Sequence, residues 1–122
     1  MITLNWAGYK ELTVENISNL PTYAGVYKLA TYHPSEDKYY PFYVGQAEDI
    51  KARTQQHRSD SEENECIKTK FSKYAIYINY ASVPGQSDRD SVEVALYNHY
   101  EPECNDKDAL PDVEPADVSS FN

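Results

Sequence analysis

Between Tyr23 and His57 the chain holds a short apolar segment ending in Gly25-Val26-Tyr27, a second ending in Tyr43-Val44-Gly45, and then a helical pattern carrying Arg53 and His57 one turn apart. Two strand-like segments rich in glycine and tyrosine, feeding a helix with two basic groups on one face, describe a compact polar site rather than a plain core. Everything else in the chain reads as support for that site or as surface.

With 122 residues the chain has the size of one domain, enough for a single core. No apolar stretch is long enough to span a bilayer, and the N-terminus lacks the basic start and apolar run of a secretion signal, so an intracellular protein without membrane contact is expected. Cys66 and Cys104 are too few for a disulfide framework and lack metal-ligand spacing, which reads as two free thiols. The formal net charge of -9 argues against a broad nucleic-acid-coating surface, because such surfaces gain affinity from counterions released by many Lys and Arg. Much of that charge sits late in the chain, where Glu101, Glu103, Asp106, Asp108, Asp112, Glu114 and Asp117 face Lys107 alone. Lys68, Lys70 and Lys73 form one basic run, and Lys51, Arg53 and Arg58 form another, so a small basic groove on an acidic body remains open. Lysines in such a run position a phosphate backbone without reading sequence.

Along the chain, Thr13 caps a short helix over 14 to 19 that Pro21 closes, with Ile17 and Leu20 turned inward. Thr22 to Ala30 favours a strand, residues 31 to 41 a polar excursion, and Phe42 to Val44 the returning strand of a hairpin. Ala47 to His57 reads as a helix whose apolar stripe, anchored by Ile50, aims Arg53 and His57 along the same side. Cys66 to Lys73 is either a short helix or an extended approach. Tyr74 to Ala81 alternates as a strand, with Tyr74, Ile76, Ile78 and Tyr80 on one face. A helix capped by Ser87 or Asp88 then runs to about Tyr100, with Glu93 at the edge of its apolar stripe, and Pro102 stops it. The organisation expected is one domain over residues 1 to 106 and an acidic tail over 107 to 122 that drapes over the core or stays disordered.

Tyr27, Tyr43, Arg53, His57, Glu93 and Asn105 are the polar groups this layout can gather. Phosphodiester hydrolysis needs a base or positioned water, a cation for the charge developing on phosphoryl oxygens, and help for the leaving oxygen. Residue types and spacing alone describe a polyanion site and do not identify a nuclease.

At these residues the chain resembles the GIY-YIG nuclease domain family. Gly25-Val26-Tyr27 resembles the first signature tripeptide and Tyr43-Val44-Gly45 the second, each with valine for isoleucine. Arg53-x-x-x-His57 matches the helix motif, Glu93 the metal-binding glutamate, and Pro102-x-x-Asn105 the late proline and asparagine, over roughly residues 22 to 106. The resemblance implies an α+β fold, a small three-stranded antiparallel sheet flanked by helices, that cuts DNA with one divalent metal, Mg2+ with Mn2+ as substitute. It implies Glu93 as the metal ligand and Arg53 as the group stabilising the phosphoryl transition state. Tyr27, Tyr43 and His57 share the handling of water, with the partition among them open, while Gly25, Gly45 and Asn105 shape and brace the site. Lys51, Arg58, Lys68, Lys70 and Lys73 are candidates for DNA contact. A homodimer would suit double-strand cutting, and a protein partner would suit the acidic tail. Two other functions fit the same residues: a catalytically weak module that binds DNA structure, and an acidic protein-interaction protein.

Overall fold

A hairpin of β2 (Gly25–His33) and β3 (Lys38–Ala47) forms the centre of the protein, which is described over all of residues 1–122 by a computed structural model. β4 (Tyr77–Ser82) pairs antiparallel with the other edge of β2, and a two-residue β1 (Lys10–Glu11) adds to β4, giving the order β1-β4-β2-β3. The expected three-stranded sheet is therefore present with a minimal fourth strand, supplied by an N-terminal stretch too short to show a period. The hairpin strands run longer than sequence alone indicates, because Lys38–Pro41 pairs with Ala30–His33 across the polar excursion, with an irregularity between Leu29 and Ala30. β4 begins at Tyr77 rather than Tyr74, and Tyr74 is exposed.

Five residues of α1 (Val14–Ser18) follow Thr13, whose hydroxyl accepts from the Asn16 N–H as a helix cap. On one face of the sheet, α2 (Ile50–Arg58) and α3 (Glu65–Lys73) cover a core of Tyr27, Leu29, Ile50, Ile67, Ile78 and neighbours. Asp49 and Asn64 cap these two helices with their side chains, which settles Cys66–Lys73 as helical. On the other face α4 (Gln86–Tyr100) packs Val92 and Leu96 on Val26, Val44 and Ala81. No side chain caps α4; instead Arg89 turns back to donate to Val83 O at 3.1 Å and Pro84 O at 2.8 Å.

Cys66 and Cys104 are joined in a disulfide, their Cα atoms 5.3 Å apart, which corrects the expectation of free thiols. Their sequence separation of 38 hid the pairing; it follows from α3 lying against the segment after α4, where Asn64 Nδ2 also donates to Cys104 O at 3.0 Å. Residues 116 to 121 return to the second core. Ile2 bridges Val118, Trp6 Nε1 donates to Ser120 O at 3.0 Å, and Phe121 stacks on His99 at 3.9 Å between centroids. Beneath them Lys28 is buried, its ammonium 4.4 Å from the Trp6 ring and donating to Phe121 O and to Tyr100 Oη. Desolvation lowers that ammonium's pKa to about 8. No helix is long and apolar enough to cross a membrane.

Candidate active site

β3 is an edge strand, and the candidate site forms around its free edge. α2 and α4 lie on opposite faces of the sheet, and Arg53 and Glu93 approach this edge from the two sides. Alternation along β3 turns Tyr43 and Gly45 towards the α2 face, opposite Leu29 and Tyr27, and Gln46 towards the α4 face, opposite Val26. Glu93 reaches the edge from its own side, where Gln46 Nε2 donates to Glu93 Oε1 at 2.9 Å and to Asp90 Oδ1 at 2.8 Å. Tyr43, Glu93 and Asn105 line one recess of about 150 Å³, and a wider one of about 560 Å³ beside it, which carries Arg53 and Glu62, shares the walls Asn64, Asn105, Asp106 and Ala109.

The backbone of the edge is closed by a side chain. Asn105 Oδ1 accepts from Val44 N–H at 2.9 Å and Asn105 Nδ2 donates to Val44 O at 2.8 Å, while Cys104 N–H donates to Phe42 O at 2.8 Å. The primary amide thus supplies the donor and acceptor a further strand would have offered. The disulfide to α3 holds this segment alongside β3.

Behind the cleft lies a buried polar chain. Tyr27, 1% exposed, places its hydroxyl 2.6 Å from His57 Nε2, and His57 Nδ1 is 2.9 Å from Glu62 Oε2. Glu62 Oε1 accepts from the Asn64 N–H at 3.0 Å, tying the chain to the cap of α3. The Tyr43 ring stands 6.1 Å from that of Tyr27 and 5.3 Å from the His57 ring, centroid to centroid, and is the less buried of the two phenols. Gly45 makes the crowding possible: a Cβ there would lie 2.6 Å from Tyr27 Oη. Gly25 is fixed by backbone instead, with Ala81 O 2.2 Å from where its Cβ would stand.

Burial dominates the electrostatics. It pushes the Tyr27 phenol well above its usual value, with Tyr43 adding to the rise and Arg53 opposing it. It raises Tyr43 as well, where Arg53 opposes and Glu93 adds. His57 falls to about 4 through burial first and then the Arg53 charge, against the pull of Glu62, so the imidazole is neutral at pH 7. Glu93 is raised by burial and by Asp90, with Gln46 and Arg53 pulling the other way. A carboxylate destabilised in this manner gains from a nearby cation. No group of three or more His, Cys, Asp or Glu forms a protein cage for one, but magnesium retains waters and is held by one or two carboxylates together with phosphate oxygens, and Glu93 fits that mode.

The expected residues therefore divide. Tyr43, Arg53, Glu93 and Asn105 line the cleft; Tyr27, His57, Gly25 and Gly45 stand behind it. The basic side chains gather less well. Lys70 pairs with Glu103 at 2.7 Å and Lys68 with Glu65 at 3.7 Å, and Lys70 and Lys73 line a separate depression with Cys66. The Arg58 guanidinium donates to Leu12 O, and Lys51 lines neither recess. Sequence reasoning missed Glu62 and Gln46. Glu62 lies in an acidic loop whose composition reads as surface, and only its position just past His57 at the end of α2 hints at a pairing; Gln46 directly follows the second tripeptide.

No protein-family profile matches the chain, and no curated protein does. Among solved structures the chain is similar to the GIY-YIG N-terminal endonuclease domain of UvrC from Thermotoga maritima in its magnesium-bound form, at 19% identity and TM-score 0.60, over 76% of this chain and 94% of that one. Point mutants of the same domain bound to its catalytic divalent cation match equally, one at 19% identity and another at 18%, each with TM-score 0.60 and covering 77% of this chain and 94% of theirs. A small antiparallel sheet with helices on both faces, carrying the two tripeptides on its paired strands and matched in shape over most of its length, gives this chain the fold of a GIY-YIG endonuclease domain.

Proposed function

We propose that the protein is a divalent-metal-dependent endonuclease that hydrolyses DNA phosphodiester bonds. The observation that supports this reading is that Tyr43 and Glu93 line one recess and Arg53 the neighbouring one, with Arg53 close enough to act by charge on both, although their elements lie on different faces of the sheet. Glu93, oriented by Gln46, would hold Mg2+, with Mn2+ as a substitute. When bound, the ion supplies a Lewis acid for the phosphoryl and leaving oxygens. Arg53 offers its planar fork to the non-bridging oxygens, where charge grows in the transition state. Tyr43 meets the attacking water; Tyr27 and His57 stand behind it. Asn105 holds the edge strand in place. Lys51, Arg58, Lys68, Lys70 and Lys73 are assigned to backbone contact outside the cleft, and a pair of copies would serve double-strand cutting.

A cleavage screen over duplex, branched, nicked and single-stranded DNA with Mg2+ and Mn2+ tests the reading. Cleavage should fall on the order of 10²-fold or more in Arg53→Ala, the scale of losing one transition-state charge partner, and vanish in folded Glu93→Ala. Undiminished cleavage by either variant removes its assigned role. A second reading, a module that binds DNA structure with little catalysis or docks a protein partner, draws on the acidic rim of Glu63 and Asp106 beside Arg53. Binding without cleavage across all substrates and both ions would favour it.

A further inference from the structure

Glu62 belongs to none of the recognised motifs, yet it is a carboxylate 5% exposed, held at both oxygens, in the wall of the cleft. We propose that Glu62 is a positioning residue that sets the direction of a hydrogen-bonded chain, Glu62–His57–Tyr27, so that Tyr27 gives its proton to the imidazole and keeps only lone pairs for the site.

The direction follows from what each group can donate. The Asn64 N–H occupies Glu62 Oε1 as a donor, which leaves Oε2, 2.9 Å from His57 Nδ1, as an acceptor. Nδ1 must therefore carry the ring proton. In a neutral imidazole the other nitrogen is then an acceptor, so the 2.6 Å contact at Nε2 has Tyr27 O–H as its donor. With its proton committed to the ring, the Tyr27 oxygen keeps only lone pairs on the side where the Tyr43 ring stands 6.1 Å away, centroid to centroid. Every charged or titratable group packed on His57 enters this arrangement: Tyr27 from β2, Tyr43 from β3, Arg53 from its own helix and Glu62 from the following loop. Arg53 only donates hydrogen bonds, so it cannot take the place of Glu62 as acceptor at Nδ1.

Glu62→Gln is nearly isosteric and reverses the polarity. Its single carbonyl oxygen is claimed by the Asn64 N–H, its amide then donates to Nδ1, and the ring proton moves to Nε2. Tyr27 becomes the acceptor there and its own proton turns away from the ring. A merely structural Glu62 would leave the tautomer untouched.

The kinetic half of this inference rests on the nuclease reading; the tautomeric half does not. Nitrogen-detected NMR on 15N-histidine-labelled full-length protein should show a protonated Nδ1 and an unprotonated Nε2 at pH 7, exchanged in Glu62→Gln. In cleavage assays Glu62→Gln should lower kcat about 100-fold, the lower range for loss of a positioned base, with KM for DNA within about twofold of wild type. Glu62→Asp should recover part of the loss. A wild-type ring protonated at Nε2 overturns the proposal with no variant needed, and so does a Glu62→Gln protein with unchanged tautomer or unchanged kcat. Absence of cleavage by the wild type would instead overturn the nuclease reading and leave the tautomer result standing on its own.

Discussion

Replacing Gly45 by alanine tests how closely the two tripeptides are packed. The added Cβ would stand 2.6 Å from Tyr27 Oη, 2.7 Å from Tyr27 Cζ and 2.9 Å from Tyr43 Cε2, all well inside ordinary contact. Relief by a side-chain swing is blocked, because Tyr27 is 1% exposed and its hydroxyl is held 2.6 Å from His57 Nε2. Either β3 moves away from β2 or the Tyr27 ring is displaced. Overpacking of this kind costs about 1–3 kcal/mol, and breaking a buried hydrogen bond that leaves its partner unsatisfied adds about 1–3 kcal/mol. A total of roughly 2–5 kcal/mol is a large share of the stability of a domain this size. Urea unfolding followed by tyrosine fluorescence and far-UV circular dichroism reads it as a lower midpoint at constant slope. Gly85→Ala is the control: the nearest atom to its Cβ is Asp88 Oδ2 at 3.8 Å and its φ is -86°, so it meets no clash and loses only the N-cap preference of α4, about 1 kcal/mol. A Gly45→Ala protein as stable as Gly85→Ala would refute the argument that these strands and phenols leave no room for a methyl group.

Two further outcomes are expected. The folded-state pKa of His57, about 4, lies below the ordinary 6.5, so the unfolded chain binds a proton that the folded one resists; stability is complete above pH 6.5 and declines as pH falls towards 4. The loss attributable to this ring is about 3 kcal/mol, and denaturation curves at pH 7 and 4.5 should show a gap that shrinks in His57→Gln; an equal gap would exclude the ring as its source. Opening the Cys66–Cys104 bond, which spans 38 residues, should cost about 4 kcal/mol by loop-closure entropy. Unfolding with and without a thiol reductant measures it, and coincident curves would show that the bond constrains nothing.

Local patterns made the hairpin, the helices after it and the inward stripe of Ile17, Ile50, Val92 and Leu96 legible, because burial imposes a period on each. The ordered motif residues made the fold legible too. What sequence concealed depends on approach in space. Cys66 and Cys104 meet because α3 and the segment after α4 flank the same edge; Glu62 reads as solvent-facing until the end of α2 bends it under His57. Tyr27 and Tyr43 look equivalent in sequence, but strand pairing buries the first under Gly45 and leaves the second in the cleft wall. The basic side chains have partners that sequence does not show: Lys68 lies near Glu65, Lys70 pairs with Glu103, and the Arg58 guanidinium donates to Leu12 O.

The amide of Asn105 gives the hairpin a consequence outside catalysis. Removing it would bare the N–H and C=O of Val44 on an outer strand, and a bared outer strand recruits the strand of another molecule. An Asn105→Ala protein would thus tend to self-associate, and the burial of its cleft in that association would silence it even with every reacting group intact. The oligomeric state of such a variant has to be known before its inactivity says anything about hydrolysis.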